Sequence, residues 1–121
     1  MASIILQNIS KWFSDNQVIK NIDLNIKDGE FIVFVGPSGC GKSTLLRIIS
    51  GLEDLNDGTV LIDDLDVTDK IPYERGLSMV FQSYALYPHM NVFDNIGFSL
   101  KTSGVKSDVL KTKVGEVAKI L

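Results

Sequence analysis

A glycine-rich segment in the first half of the chain carries the residues best suited to chemistry. Gly36-Pro37-Ser38-Gly39-Cys40-Gly41-Lys42-Ser43 fits the spacing G-x-x-x-x-G-K-[ST]. Glycines in such a loop reach positive φ and let backbone amides approach an anion without an intervening Cβ. Those amides and the N-terminus of a following helix both favour negative charge. The segment therefore predicts a binding site for the phosphates of a nucleoside triphosphate.

Three polar side chains at the end of this segment have separate predicted tasks. Lys42 supplies a mobile cation for the β- and γ-phosphates and is the first candidate catalytic residue. The Ser43 hydroxyl is an oxygen ligand of the kind that Mg²⁺ prefers, and Thr44 adds a hydroxyl near the α-phosphate. The expected ligand is Mg-ATP, bound by every position from Gly36 to Thr44. Within that range, we interpret Cys40 as a small side chain that fits the turn, with a redox-sensitive thiol as the alternative.

The flanks of the loop predict the elements that position it. Phe31 to Val35 is a continuous apolar run, which is typical of a strand buried on both faces in a parallel sheet. Lys42 to Ser50 has helical spacing of its apolar residues, and Gly51 stands where a C-terminal helix glycine belongs. A loop between a strand and a helix is the context that the motif requires.

Further strands and helices are predicted on either side. Apolar runs or alternation predict strands at residues 4–9, 22–26, 59–62 and 77–81. Asn91 can cap a helix with the face Phe93, Ile96, Gly97 and Leu100, and Ser107 can cap another with the stripe Leu110, Val114, Val117 and Leu121. This order predicts an α/β fold with a P-loop NTPase core, an antiparallel β side layer and the start of a helical subdomain.

Composition limits the class of protein. The chain of 121 residues is long enough for one small domain, and 12 basic against 15 acidic residues give a net charge of −3, which does not favour nucleic-acid binding. A single cysteine excludes an internal disulfide and favours a reducing compartment. We find no secretory signal and no apolar run near the ~20 residues that span a bilayer. We therefore expect a soluble chain that reaches a membrane only through a partner.

Several classes of protein share a phosphate-binding loop. A GTPase needs an N-K-x-D motif, which this sequence lacks, and its D-x-x-G match at residues 94–97 falls within a predicted helix. A small-molecule kinase stays open at this point, because its acceptor site leaves no short motif.

Three further stretches point to a family. The loop is accompanied by three segments: Leu6-Gln7-Asn8-Ile9-Ser10-Lys11, Val18-Ile19-Lys20-Asn21-Ile22-Asp23-Leu24 and Met79-Val80-Phe81-Gln82-Ser83-Tyr84-Ala85-Leu86-Tyr87-Pro88-His89. With them the chain resembles, over essentially its whole length, the ATP-binding subunits of ABC transporters. Residues 36–46 and 75–89 look most like the carbohydrate-importer, maltose-type branch. Polyamine and iron importers share much of residues 81–89, so the resemblance identifies the family more sharply than the solute.

The resemblance implies two site residues outside the loop. An aromatic residue two positions after Lys11 stacks on adenine in this family, which places Phe13 there, with Trp12 as the competing candidate. The family's Q-loop glutamine falls on Gln82. Its amide oxygen is expected to ligate Mg²⁺ and to hold the attacking water, so Gln82 is the second candidate catalytic residue.

The resemblance also implies partners. Tyr84, Ala85, Leu86 and Tyr87 are expected near a groove that receives transmembrane permease subunits. A second ATPase subunit would complete a head-to-tail dimer, and a solute-binding protein would act indirectly. His89 is interpreted as an interface or local structural residue. The expected location is the cytoplasmic face of the cell membrane.

Some family motifs fall outside these residues. Val60-Leu61-Ile62-Asp63 resembles a Walker B strand, but Thr59 and the alternation that follows favour a hairpin of the side layer. The signature, Walker B and switch regions have no match. Residues 1–121 therefore look like the N-terminal portion of a nucleotide-binding domain, and we expect this portion to bind ATP without turning it over. The alternatives are a non-catalytic remnant or the kinase named above.

Overall fold

A computed structural model describes residues 2–83 and 85–120 of the chain. The chain divides into two compact units, Met1–Met79 and Val80–Leu121. The first unit holds the strands β1 (Ile4–Phe13), β2 (Asn16–Ile26), β3 (Asp57–Ile62) and β4 (Leu65–Asp66), the helix α1 (Lys42–Ser50) and a short 3₁₀ helix, Pro72–Arg75. The second unit holds the helices α2 (Val92–Thr102) and α3 (Ser107–Ile120).

The strands of the first unit form one antiparallel sheet in the order β2-β1-β3-β4. β1 lies inside it and pairs Leu6 with Leu24 of β2 and with Val60 of β3. The alternating apolar residues of these strands turn inward: Leu6, Ile9 and Val60 are at most 1% exposed. This is the antiparallel layer predicted from the sequence, with strands longer than predicted.

Helix α1 covers the inner face of this sheet. Leu45, Ile48 and Ile49 are buried in the same core cluster as the inward strand residues. The helix ends at Gly51 in the left-handed region, with a φ of 76°. Both the predicted bounds of α1 and its glycine terminus are confirmed.

Asp63 and Asp64 form the tight turn between β3 and β4. Their φ angles of 50° and 63° are those of a type I′ hairpin turn. The Asp63 carboxylate accepts a hydrogen bond from the backbone N–H of Ser3 at 2.8 Å. The interpretation of this stretch as a hairpin of the side layer is confirmed.

The prediction of a buried strand at residues 31–35 was wrong. These residues have no strand assignment, and Phe31 and Val35 are 91% and 90% exposed. Only Phe34 packs against the core cluster. A strand needs a hydrogen-bonded neighbour, and no strand among the described residues pairs with this segment. The strand predicted at residues 77–81 is also not formed, and Val80 is 91% exposed.

The second unit is a pair of packed helices. Asn91 caps α2 as predicted, because its side chain accepts a hydrogen bond from the N–H of Asp94 at 2.8 Å. Gly97 is the close-packed position: a Cβ there would lie 3.1 Å from a Leu110 methyl carbon of α3. The D-x-x-G match at residues 94–97 lies within α2, as expected.

The predicted start and stripe of α3 need two corrections. Ser107 is the first helical residue rather than the cap, and the N–H of Leu110 donates to the Lys106 carbonyl. Leu110 and Val114 are buried as predicted, whereas Val117 is 42% exposed. Leu121, the last member of the predicted stripe, lies outside the described residues. Within the described ranges, no helix is long and apolar enough to cross a membrane.

Candidate nucleotide-binding site

The glycine-rich loop enters α1 through backbone that an L side chain rarely adopts. Gly39 and Gly41 have φ angles of 80° and 95°, and Gly41 is the N-cap of the helix. A Cβ on Gly41 would lie 2.7 Å from the Ile19 Cδ1 of β2 and 3.0 Å from the Val18 carbonyl oxygen. Both the backbone angle and the neighbouring strand therefore require glycine at this junction.

The Lys42 ammonium is folded back over the loop. It donates to the carbonyl oxygens of Gly36 and Pro37, at 2.7 Å each, and lies 3.5 Å from the Cys40 sulfur. The two oxygen acceptors are neutral backbone carbonyls. A phosphate oxygen is a stronger acceptor for this cation, because its negative charge adds a direct electrostatic attraction that a carbonyl oxygen lacks. The Lys42 ammonium therefore lies beside the loop, and a polyphosphate could replace the carbonyls to which it donates.

The first turn of α1 suits an anion and a hard cation. It contains no acidic residue, so no side-chain charge offsets the positive end of the helix. The Ser43 side chain is exposed there, and Thr44 is half-buried. No group of three or more His, Cys, Asp or Glu residues that could hold a metal exists in the described part of the chain. A single hydroxyl fits Mg²⁺, which takes few protein ligands and completes its shell with water and phosphate oxygens.

The rest of the loop is open to solvent. Pro37, Ser38 and Cys40 are exposed, and Cys40 is a free thiol. A Cβ on Gly36 would lie 2.8 Å from the Cys40 sulfur, so the thiol turns inward across the loop. The compact side chain predicted for this position fits that geometry, while its redox sensitivity stays untested.

Two aromatic residues end β1. Trp12 and Phe13 are 37% and 45% exposed, and successive strand residues project to opposite faces. The backbone N–H of Trp12 donates to the Asn56 side chain at 2.9 Å. Both rings retain open surface, so the choice of Phe13 over Trp12 as the adenine platform stays a prediction.

Lys11, directly before them, is a buried cation. Its ammonium pairs with the Glu53 carboxylate at 2.8 Å, donates to the Asp54 carbonyl at 2.6 Å and lies 5.0 Å from the centre of the Phe13 ring. The sequence marked Lys11 only as a landmark of the family resemblance. It gave no signal for these contacts.

Arg75 is a second buried cation, and no pattern in the sequence indicates its contacts. Its guanidinium donates to the carbonyls of Ile48 and Ile49 at the end of α1, and to those of Thr68 and Lys70. Burial lowers the pKa of this guanidinium, and the carboxylates of Asp54 and Asp69 oppose that shift. Arginine stays charged under such a shift, so it stabilises the negative end of the helix that begins at the loop.

The predicted Q-loop and groove residues lie in the second unit. Gln82, Ala85, Leu86 and Tyr87 are exposed, and Tyr84 lies outside the described residues. The Asn95 side chain fixes this segment, since its oxygen accepts from the Tyr87 N–H at 2.8 Å and its amide donates to the Tyr87 carbonyl at 3.2 Å. The Tyr87 ring packs on Phe98 of α2, and His89 stands edge-on to it. The roles of Gln82 and of the groove remain predictions.

Known proteins resemble this chain over most of its length. The ABC transporter family matches residues 19–120. The maltose/maltodextrin import ATP-binding protein MalK of Klebsiella aerogenes is 54% identical over 121 residues, which is 100% of this chain and 41% of that protein. The protein of the same name from Salmonella typhi is also 54% identical over 100% of this chain, which covers 33% of it.

Solved structures agree with the sequence matches. An ATP-binding cassette solved as a dimer in a post-hydrolysis state, bound to ADP and Pi, has a TM-score of 0.84 at 30% identity, over 96% of this chain and 56% of that one. A nucleotide-free ATP-binding cassette from an ABC transporter has a TM-score of 0.69 at 29% identity, over 79% of this chain and 39% of that one.

The chain belongs to the ABC transporter family, and its fold matches part of an ATP-binding cassette. Its relatives include maltose/maltodextrin import ATP-binding proteins. The chain spans 41% of the length of the Klebsiella aerogenes protein and 33% of the Salmonella typhi protein.

Proposed function

We propose that residues 36–44 bind the phosphates of Mg-ATP and that the chain is the nucleotide-binding, N-terminal portion of an importer ATPase subunit. The observation that supports this most directly is the Lys42 ammonium, held at 2.7 Å by two carbonyls of the loop that it would share with a polyphosphate. The left-handed glycines and the open first turn of α1 supply the amides and the positive helix end.

The proposed whole protein hydrolyses ATP to drive uptake of a solute, most simply a sugar. Relatives named as maltose/maltodextrin import ATP-binding proteins, at 54% identity over this whole chain, support that assignment. Its partners would be transmembrane permease subunits docking near residues 84–87, a second ATPase subunit and, indirectly, a solute-binding protein. This arrangement implies a peripheral position on the cytoplasmic face of the membrane.

Each residue of the site has a proposed task in that reaction. Lys42 and the loop amides neutralise the β- and γ-phosphates, and Phe13 stacks on the base. Ser43 offers an oxygen ligand for Mg²⁺, which would supply charge neutralisation at the phosphates, and the family resemblance assigns a second such oxygen to Gln82. Gln82 would also orient the attacking water through its neutral amide. Catalysis of this kind is mostly positioning and electrostatics, so a portion of the site binds without turning over.

The experiment that tests the binding proposal removes the loop cation. Lys42→Ala takes away the main positive charge facing the polyphosphate while leaving the glycine backbone unchanged. We expect affinity for a fluorescent ATP analogue to fall by at least about tenfold, the range for hydrogen bonds to charged groups. Lys111→Ala, on the exposed face of α3, removes the same charge elsewhere and should leave affinity unchanged. Equal affinities of wild type and Lys42→Ala would refute the phosphate site.

Turnover is tested separately. We expect the 121-residue chain to release little or no phosphate from Mg-ATP, because the resemblance assigns the Walker B carboxylate and the partner's signature to regions outside it. The exposed apolar segment at residues 31–35 should also favour self-association, which light scattering would report. A monodisperse monomer with robust turnover that Lys42→Ala abolishes would contradict this part of the proposal. Asp63, at the end of the Walker B-like stretch, would then be the candidate for the missing carboxylate.

A further inference from the structure

We propose that Lys11 is a positioning residue, which holds the Phe13 ring as a platform for the base and ties it to the end of α1 beyond the phosphate loop. This inference rests on the proposed nucleotide binding and adds a device that sets the base end of the site. Its three contacts, to Glu53, Asp54 and the Phe13 ring, all lie within the first unit.

The burial of Lys11 is the first argument. The residue is only 8% exposed, and a lysine leaves water at a large cost unless its charge is paired. The Glu53 carboxylate at 2.8 Å and the Asp54 carbonyl at 2.6 Å pair with the ammonium. Because removing one partner of such a pair is costly, these contacts fix where the ammonium stands.

The position of Phe13 relative to that ammonium is the second argument. The fixed cation lies 5.0 Å from the ring centre, within the range of a cation–π interaction. It occupies one side of the ring, while 45% of the residue stays exposed. An exposed aromatic side chain otherwise loses rotamer freedom when a base stacks on it. A ring whose rotamer is already fixed by the cation loses less conformational entropy when the base stacks on it.

The origin of the two tethering groups is the third argument. Glu53 and Asp54 follow α1 within four residues of its last residue, Ser50, and α1 starts at the phosphate loop. The Lys11 contacts therefore join the base platform to the far end of the helix whose near end faces the phosphates. Arg75 contacts the same helix end by donating to the Ile48 and Ile49 carbonyls.

The test compares two ligands that share a triphosphate chain, of which only one carries a nucleoside. Calorimetric titrations of Mg-ATP and Mg-tripolyphosphate are run on wild type, Lys11→Met, Lys11→Arg and Glu53→Gln. We expect Lys11→Met to weaken ATP about fivefold to tenfold, a part of the stacking contribution, with tripolyphosphate within about twofold. Arginine keeps a cation that can pair with Glu53 and stack on Phe13, so Lys11→Arg should recover most of the ATP affinity.

Two controls separate positioning from general stability. In the second unit, Lys101 forms an exposed ion pair with Asp94 at 3.7 Å. Lys101→Met breaks this pair and should change the affinity for neither ATP nor tripolyphosphate. If Lys11→Met no longer shows the circular dichroism spectrum of a folded chain, Glu53→Gln takes its place in the test. We expect that variant also to lose affinity for ATP and to keep its affinity for tripolyphosphate.

The outcomes are distinct. Equal weakening of both ligands in the folded variants would make Lys11 a purely structural residue and overturn the inference, as would unchanged ATP affinity. Wild-type chain that binds neither ligand would instead refute the proposed nucleotide binding itself.

Discussion

The two ends of the candidate site are built in different ways. The phosphate end is a continuous segment, in which Gly41 and Lys42 are neighbours and the Lys42 ammonium bonds to carbonyls five and six residues away. The base end depends on Lys11, whose hydrogen bond to the Asp54 carbonyl spans 43 residues of sequence. One end is therefore formed by local backbone, and the other by side chains that only the folded sheet and helix bring together.

Because of this difference, mutations at the two ends should weaken the binding of different ligands. A change in the loop should affect every ligand that carries phosphates, whatever its base. A change at the end of β1 should affect only ligands that carry a base. The ratio of ATP affinity to tripolyphosphate affinity distinguishes the two kinds of change.

Gly41→Ala should have the largest effect. The added Cβ meets Ile19 at 2.7 Å in backbone with a φ of 95°, so the loop or β2 must shift. We expect ATP and tripolyphosphate to weaken together by about a hundredfold, as for displaced site groups, and unfolding free energy to fall by about 1–3 kcal/mol.

Gly115→Ala is the matched control for that substitution. Gly115 lies within α3 with no atom within 4 Å of an added Cβ, so alanine should stabilise the helix by about 0.5–1 kcal/mol. Urea unfolding and titration of both variants measure these effects. Unchanged affinities in Gly41→Ala would show that the loop backbone does not position the phosphates.

Phe13→Ala should have an intermediate and selective effect. Loss of one stacking face weakens ATP by about 5- to 100-fold and leaves tripolyphosphate unchanged. Trp12→Ala should weaken ATP less, since Trp12 projects to the opposite face of β1. The same pair of titrations measures both variants. A larger effect from Trp12→Ala would move the adenine platform to the indole ring.

Ser43→Ala should have the smallest effect, confined to the metal. The hydroxyl is exposed in the first turn of α1 and is proposed as one ligand among waters and phosphate oxygens. We expect about a two- to tenfold loss of ATP affinity in Mg²⁺ and none in EDTA. An equal loss in both buffers would assign Ser43 to direct phosphate contact instead.

The sequence predicted well the parts of the fold that depend on local pattern. The bounds of α1, its Gly51 terminus and the Asn91 cap follow from spacing and terminal residues within a few positions. The phosphate loop is readable for the same reason, because its glycines and lysine act within one turn of chain.

The prediction failed where the outcome depends on a neighbour. Residues 31–35 have the composition of a central strand, yet Phe31 and Val35 are almost fully exposed and no described strand pairs with them. Apolar composition reports what a segment can bury, whereas a strand also requires a hydrogen-bonded partner.

The long-range ties of the site were missed for a related reason. Arg75 and Glu53 read as ordinary charged residues, although Arg75 is 7% exposed and donates to four carbonyls. No periodicity or motif marks a side chain whose partners come from a distant loop. Buried charges of this kind become visible only with the fold.

Hydrogen exchange on the wild-type chain measures whether residues 36–44 bind the phosphates of Mg-ATP. Amide exchange is compared in Mg-ATP and in buffer, with Mg-tripolyphosphate as a third condition. We predict that both ligands slow exchange of the backbone amides at residues 38–44, because those groups would donate to phosphate oxygens. Of the two ligands, only Mg-ATP should also slow exchange of the amides near Phe13. Unchanged exchange throughout residues 36–44 at saturating Mg-ATP would contradict the account.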